Sequence, residues 1–146
     1  MLVIDVLKNK DGDVRLIIET ATIAAAAALM VSSRVGALVV EDSNGSLSGL
    51  ISEREITAAF ARWGGDAHRH MVHEVMVRRP LVAHPDDALM HVTALMTHHR
   101  ARHVPILGEG ELVGILSIGD VLKSRLDEKI QENLVLQDIA RLRSAA

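Results

Sequence analysis

The chain contains no cysteine and almost no aromatic residues. The absence of cysteine from its 146 residues excludes disulfides, thiolate zinc sites, iron–sulfur clusters and cysteine nucleophiles. Aromatic side chains make up 1% of the chain, namely Phe60 and Trp63, with no tyrosine. A nucleic-acid site that stacks bases on aromatic rings is therefore nearly excluded, as is an aromatic sugar-binding cleft.

Long hydrophobic runs are also missing. The longest apolar run covers residues 23–31 and is mostly alanine, whereas a helix that spans a bilayer needs about 20 apolar residues. Residues 1–5 have neither the basic start nor the apolar stretch of a signal peptide. We therefore expect a cytoplasmic protein that does not contact a membrane.

The remaining composition is that of a globular protein. Hydrophobic residues make up 49% and charged residues 24%, which is enough apolar material for a core. The formal net charge of −3 argues against a nucleic-acid binder that relies on bulk positive charge.

The sequence repeats itself once. A shift of 66 residues places residues 28–30 on 94–96, both Ala-Leu-Met, and Arg34 on Arg100. A shift of 65 residues places 47–52 on 112–117 and Glu55 on Asp120. These matches occupy corresponding landmarks, so the chain is interpreted as a duplication.

Each repeat is predicted to be a β-α-β-β-α unit. The first has a short leading strand at 15–18, a helix at 22–32, strands at 35–40 and 47–51, and a helix from Ser52. The second has a leading strand at 81–83, a helix from Ala88, strands at 104–107 and 112–116, and a helix from Ser117. Residues 63–70 are interpreted as the linker between the two units.

One such unit, of about 55 residues, is too small to be robust alone. Its sheet also has one apolar face that needs a cover. The predicted fold is therefore α/β (α+β), with two repeats packed sheet to sheet about a pseudo-twofold axis. The predicted domains are residues 1–66, residues 67–126 and a C-terminal amphipathic helix at 127–146. The apolar residues of that helix fit docking on a partner helix, or alternatively a solvated tail that folds on its own domain.

Three segments resemble the signature regions of CBS domains: residues 49–56, 100–106 and 114–121. The motifs occur twice and in order, so the chain is similar to stand-alone bacterial proteins made of one CBS pair, called a Bateman module. The resemblance implies that adenosine-containing nucleotides such as AMP, ADP, ATP or NAD bind in the cleft between the repeats. It also implies a homodimer and an effector protein that the sequence does not identify.

The resemblance assigns the ribose to Asp120 and a phosphate-neighbouring role to Ser117, which precedes Asp120 by three residues. The same spacing also fits a plain helix-capping motif, and Ser52 with Glu55 fits a capping box even better. Glu55 stands where the family usually has aspartate, so we expect the Asp120 site to be stronger than the Glu55 site.

Phosphate and base contacts are also implied by the resemblance. The phosphates are expected to face basic residues, because an arginine fork holds phosphate bidentately; the alternative is a solvated basic loop. These residues are Arg34, His99, Arg100, Arg102 and His103. The expected slot for adenine is aliphatic and consists of Ala37, Leu38, Val104 and Pro105.

All eight histidines lie between His68 and His103, but their spacings match no standard zinc motif, and we expect no metal site. No nucleophile elbow, Walker loop or dinucleotide-binding glycine loop is present, so we expect binding without catalysis. The alternatives are a structural dimerisation module that has lost its ligand and, less favoured, a nucleic-acid-binding module.

Overall fold

The computed structural model describes residues 1–10 and 14–145. Within them the first repeat has the predicted order of elements, and the second repeat has it apart from its leading strand. The helices are α1 (Val3–Lys8), α2 (Ile23–Ser33), α3 (Glu53–Trp63), α4 (Leu89–His99) and α5 (Ile118–Ala145). The strands are β1 (Leu16–Ile18), β2 (Ala37–Glu41), β3 (Leu47–Ser52), β4 (Val77–Arg78), β5 (His103–Gly108) and β6 (Glu111–Ser117).

Local sequence signals fix the ends of several helices. The Thr22 hydroxyl accepts a hydrogen bond from the Ala25 amide at 3.1 Å and starts α2. Helix α3 starts with the capping box that the sequence predicts. The Ser52 side chain accepts a hydrogen bond from the Glu55 amide, and the Glu55 side chain accepts one from the Ser52 amide. The hairpin between β5 and β6 turns through Glu109 and Gly110, which both have positive φ values of 54° and 79°.

The strands form one mixed sheet and one hairpin. The first sheet has the order β1-β2-β3-β4, in which only β1 and β2 are parallel. Strands β5 and β6 pair antiparallel. The leading strand expected at 81–83 is a single bridge, where the Ala83 amide donates to the Pro105 carbonyl at 3.1 Å. Shortly before this bridge, β4 pairs with β3 of the first repeat, and Pro80 has no amide hydrogen to donate.

The two repeats exchange their leading segments. Val3 and Val6 of α1 are buried in the core of the second repeat, beside Leu89 and Leu116. In return, Val72 and Met76 are buried in the core of the first repeat with residues of α2, β2 and β3. Residues from the predicted 1–66 domain therefore complete the core of the second repeat, and residues from 67–126 complete the core of the first.

The two sheets meet face to face, as the sequence predicts. Ala37, Val39 and Leu50 of the first sheet are buried in one cluster with Ile115 of the second. Their neighbours in β2, Leu38 and Val40, have the opposite orientation, because successive side chains of a strand alternate. The seam between the repeats is therefore apolar at its centre and leaves room for clefts beside it.

Two segments differ from the sequence-based expectation. The expected linker contains a 3-10 helix at Gly64–Arg69, whose Ala67 is fully buried against α3 and α2. Residues 127–145 do not form a separate helix but continue α5, which is 28 residues and about 42 Å long. Of the helices in residues 1–10 and 14–145, none is long and apolar enough to cross a membrane.

Candidate functional site

Two clefts lie between the repeats, each beside one of the predicted ribose carboxylates. The Asp120 cleft has a volume of about 430 Å³, and the Glu55 cleft has a volume of about 510 Å³. Gly36 and His103 line both clefts, so the two share a wall at the seam. Either volume is in the range of small-molecule sites.

Asp120 lies in the first turn of α5 and is held by three polar contacts. Its Oδ2 atom accepts hydrogen bonds from the Ser117 amide at 2.9 Å and from Lys10 Nζ at 2.8 Å. Its own amide donates to the Ser117 hydroxyl at 3.1 Å. Burial raises the pKa of the Asp120 carboxyl, but the hydrogen bonds from Lys10 and Ser117 outweigh burial and lower it below its ordinary value. Asp120 is therefore an ionised acceptor at neutral pH.

Glu55 has the equivalent position at the start of α3 but different partners. Its Oε2 atom accepts a hydrogen bond from the Ser52 amide at 2.7 Å and a short one from the Ser52 hydroxyl. Among residues 1–10 and 14–145, no cation lies within 4.0 Å of this carboxylate. The longer side chain thus folds back on its own helix, as the capping box predicts.

Each cleft combines the carboxylate of one repeat with basic residues of the other. Arg34, which ends α2 of the first repeat, lines the Asp120 cleft. Arg100, which ends α4 of the second repeat, lines the Glu55 cleft. This cross-repeat pattern follows from the face-to-face packing of the two sheets.

The basic residues expected together are divided between the clefts. His99, Arg100 and Arg102 line the Glu55 cleft and do not line the Asp120 cleft. The helix–strand junction of the second repeat lies across the seam from Glu55, which places these three residues beside Glu55 and away from Asp120. Their contact with a phosphate stays a prediction. Of the expected set, Arg34 and His103 remain beside Asp120.

The predicted adenine slot is only partly formed as expected. Ala37 lines the Asp120 cleft. Leu38 and Val104 are fully buried in the cores of their own repeats, and Pro105 is buried without lining either cleft. Strand alternation turns Leu38 and Val104 away from the seam. The apolar surface of the clefts comes instead from Val113 and Ile115 beside Asp120, and from Leu50, Val77 and Leu81 beside Glu55.

Sequence reasoning missed several cations that line the clefts. Lys10 and Arg15 line the Asp120 cleft, and Arg54 and Arg79 line the Glu55 cleft. Lys10 is 110 residues away from Asp120, so no local motif could have paired them. Arg79 could have been noticed in the sequence, because it is the second residue of a basic pair directly before Pro80. Its φ of 51° is a strained value for a residue other than glycine.

His103 lies at the wall that both clefts share. Its ring nitrogen Nε2 would lie 3.6 Å from a Cβ atom added to Gly36. Burial lowers the pKa of His103, and the positive charge of Lys10 lowers it further, against the opposing effects of Asp120, Glu53 and Glu55. The ring is therefore neutral at pH 7, so that one ring nitrogen donates a hydrogen bond and the other accepts one.

His70 serves a local contact outside the two clefts. The His70 ring stacks on Trp63 with ring centroids 3.7 Å apart, and its Nδ1 lies 3.0 Å from Glu74 Oε1. The His70 hydrogen bond lowers the pKa of Glu74. Within the described ranges, no three histidine or carboxylate side chains converge as a metal site would require.

The two α/β repeats enclose paired cationic clefts, and comparison with known proteins identifies the class of this tandem module. The family model described as "CBS domain" matches residues 6–62 and again residues 72–127. The chain belongs to the CBS-domain family and contains two such domains.

Relatives of known sequence and structure agree with this assignment. The CBS domain-containing protein YhcV of Bacillus subtilis is 32% identical over 74% of this chain and 76% of its own length. The mitochondrial CBSX3 of Arabidopsis thaliana is 29% identical over 88% of this chain and 66% of its own. The crystal structure of ATU1752 from Agrobacterium tumefaciens has a TM-score of 0.82 and 33% identity, and covers 86% of this chain and 99% of that protein.

One solved relative contains a nucleotide. PAE2072 from Pyrobaculum aerophilum was crystallised in complex with AMP. It has a TM-score of 0.73 and 27% identity, and covers 82% of this chain and 89% of that protein.

Proposed function

We propose that this protein is a regulatory module that binds an adenosine-containing nucleotide, AMP, ADP, ATP or NAD, in the clefts between its CBS domains. It binds without turnover and passes the signal to an effector protein. The observation that carries the proposal is the combination, in each cleft, of a helix-start carboxylate from one repeat with a helix-end arginine from the other. The AMP complex of PAE2072 supports the choice of ligand.

The chemistry of the clefts fits the parts of a nucleotide. A carboxylate accepts two hydrogen bonds from the vicinal hydroxyls of a ribose. Arginines hold phosphate oxygens in bidentate geometry, and the Asp120 cleft offers Arg15 and Arg34 while the Glu55 cleft offers four arginines. Neither cleft has an aromatic wall, so the base would lie between aliphatic side chains and be read by backbone groups.

Calorimetric titration with AMP, ADP, ATP and NAD tests the proposal. Asp120→Ala should weaken binding in its cleft by about 1.5–3 kcal/mol, because a hydrogen bond to a charged group is lost. Asp138→Ala on the exposed part of α5 is the matched control. If none of the four nucleotides binds to wild type, or if both variants bind as wild type does, the assignment of this cleft is rejected.

The second candidate function is a dimerisation module without a ligand. It is favoured by the fact that both carboxylates already have intramolecular partners. Apolar side chains exposed on the helices, such as Val31 at 79% and Leu122 at 64%, support a homodimer under either proposal. Dimers by light scattering, with no heat of nucleotide binding, would favour this second function.

A further inference from the structure

Lys10 reaches the Asp120 cleft from a segment that is anchored on the second repeat. The Val3 and Ile4 amides of α1 donate to the carbonyls of Asp87 and Pro85 at 3.0 and 2.9 Å. The Leu7 side chain packs so closely on Gly114 that a Cβ atom there would lie 3.1 Å from it. The end of α1 is therefore held against β6, and Lys10 follows two residues later.

The ammonium group of Lys10 has two acceptors on this surface. Nζ donates to Asp120 Oδ2 and to the Ile115 carbonyl, both at 2.8 Å. The side chains of Lys10 and Asp120 are 33% and 21% exposed, so the pair is partly shielded from water. Lys10 thus occupies part of the carboxylate that the proposed function assigns to ribose.

A ribose that binds Asp120 has to compete with the hydrogen bonds that this carboxylate already accepts. Each carboxylate oxygen accepts about two hydrogen bonds, and Asp120 Oδ2 already receives the Ser117 amide and Lys10. A ribose that uses both carboxylate oxygens must therefore remove Lys10 from Oδ2. The displaced ammonium then needs another anion, because an unpaired charge in a partly shielded site is costly.

Resting on the proposed function, we propose that Lys10 makes the Asp120 cleft selective for phosphorylated adenosine over adenosine itself. A nucleotide brings a phosphate that takes over Lys10 as its ribose takes over Asp120. An uncharged nucleoside breaks the same ion pair and offers Lys10 no anionic partner.

The carboxylate in the Glu55 cleft can be compared with Asp120, because its hydrogen-bond partners are different. Glu55 Oε2 is bound by the amide and hydroxyl of Ser52. The hydroxyl is neutral and can rotate away, so a ribose that binds Glu55 does not release a cation. The selectivity proposed for Lys10 is therefore specific to the Asp120 cleft.

The test measures the affinities of AMP and adenosine for one cleft. Glu55→Gln is used as the background, because glutamine can keep the capping box while the carboxylate is lost. In that background, wild-type Lys10 is compared with Lys10→Met, Lys10→Arg and the matched control Lys8→Met, whose residue lies on α1 outside the lining of the cleft. Circular dichroism melting confirms that each variant is folded.

Lys10→Met should lower the ratio of AMP affinity to adenosine affinity about tenfold, with adenosine binding more tightly than before, the scale of one charged hydrogen bond. Lys10→Arg and Lys8→Met should keep the ratio of the parent. A ratio for Lys10→Met within twofold of Lys8→Met would overturn the role of Lys10 and leave the proposed function intact. If neither AMP nor adenosine binds any of these proteins, both proposals for this cleft are rejected.

Discussion

Arg34 and Arg100 are equivalent residues of the two repeats, and each lines the cleft that contains the carboxylate of the other repeat. Both follow the last residue of a helix and adopt the left-handed conformation, with φ values of 55° and 53°. Glycine is the usual residue at such a helix end, because a Cβ atom is disfavoured there. We therefore expect the side chain at each position to have a use, such as binding a ligand, that compensates the strain.

Replacing either arginine by glycine should separate stability from binding. Arg34→Gly and Arg100→Gly should each raise the free energy of unfolding by about 0.5–1 kcal/mol, because the relief of left-handed strain exceeds the entropy cost of glycine. The same changes should weaken nucleotide binding, Arg34→Gly in the Asp120 cleft and Arg100→Gly in the Glu55 cleft. Urea denaturation and calorimetric titration provide the two measurements.

The control for these variants is Arg141→Gly in the regular part of α5. It should lower the free energy of unfolding by up to about 1 kcal/mol, since glycine is unfavourable within a helix. Losses of stability at Arg34 or Arg100 that match this control would contradict the strain argument. A loss of binding in the wrong cleft would contradict the cross-repeat arrangement.

Gly49 allows the leading segment of the second repeat to pair with the first sheet. A Cβ atom on Gly49 would lie 2.6 Å from the Val77 carbonyl oxygen and 2.8 Å from Met76 Sδ. Gly49→Ala should therefore lower the free energy of unfolding by about 1–3 kcal/mol, the scale of overpacking. Gly65→Ala, where nothing lies within 4 Å, should be near neutral in the same urea denaturation. Equal stabilities of the two variants would show that β4 can move away without cost.

The exposed part of α5 is the second candidate surface for the proposed homodimer. Ile130, Leu134 and Leu142 are 46%, 49% and 73% exposed. Truncation after Arg125 should weaken the dimer if this part of α5 supplies the interface. Light scattering over a range of concentrations measures the change, and an unchanged dimer would assign the interface to the helices of the CBS domains.

Local signals in the sequence predict the helices and strands and the positions of Glu55 and Asp120 at helix starts. These features depend on residues that are close together in the chain. The caps at Thr22 and Ser52 and the three-residue spacing of Ser117 and Asp120 are of this kind. Period-two alternation could also have shown that Leu38 has the opposite orientation to Ala37. The structure accordingly places Ala37 in the lining of the Asp120 cleft and Leu38 in the core of the first repeat.

Contacts between the repeats could not be predicted in this way. The exchange of α1 for the segment around Val72 depends on tertiary packing, as does the ion pair between Lys10 and Asp120. The division of the basic residues between the clefts depends on which helix end faces which carboxylate across the seam. None of these relationships produces a short motif in the sequence.

His103 should make the folded protein less stable in mild acid. Burial and the charge of Lys10 lower the pKa of His103 in the folded state below its ordinary value of 6.5. The unfolded chain therefore binds a proton at a higher pH than the folded chain does. The contribution of the neutral ring to stability is complete above pH 6.5 and is lost as the pH falls from there through the folded-state pKa.

Two substitutions separate this effect from other titrations. His103→Gln removes the group, so it should reduce the loss of unfolding free energy between pH 7 and pH 5, measured by urea denaturation in steps of pH. Lys10→Met removes the charge that disfavours protonation of His103 and should reduce the same loss in part. Asp120 has its pKa lowered below 3.8, so its contribution is lost only at still lower pH and does not disturb this range. If wild type and His103→Gln lose the same unfolding free energy between pH 7 and pH 5, the effect belongs to another group. That result would reject a neutral, shielded His103 at the wall between the clefts.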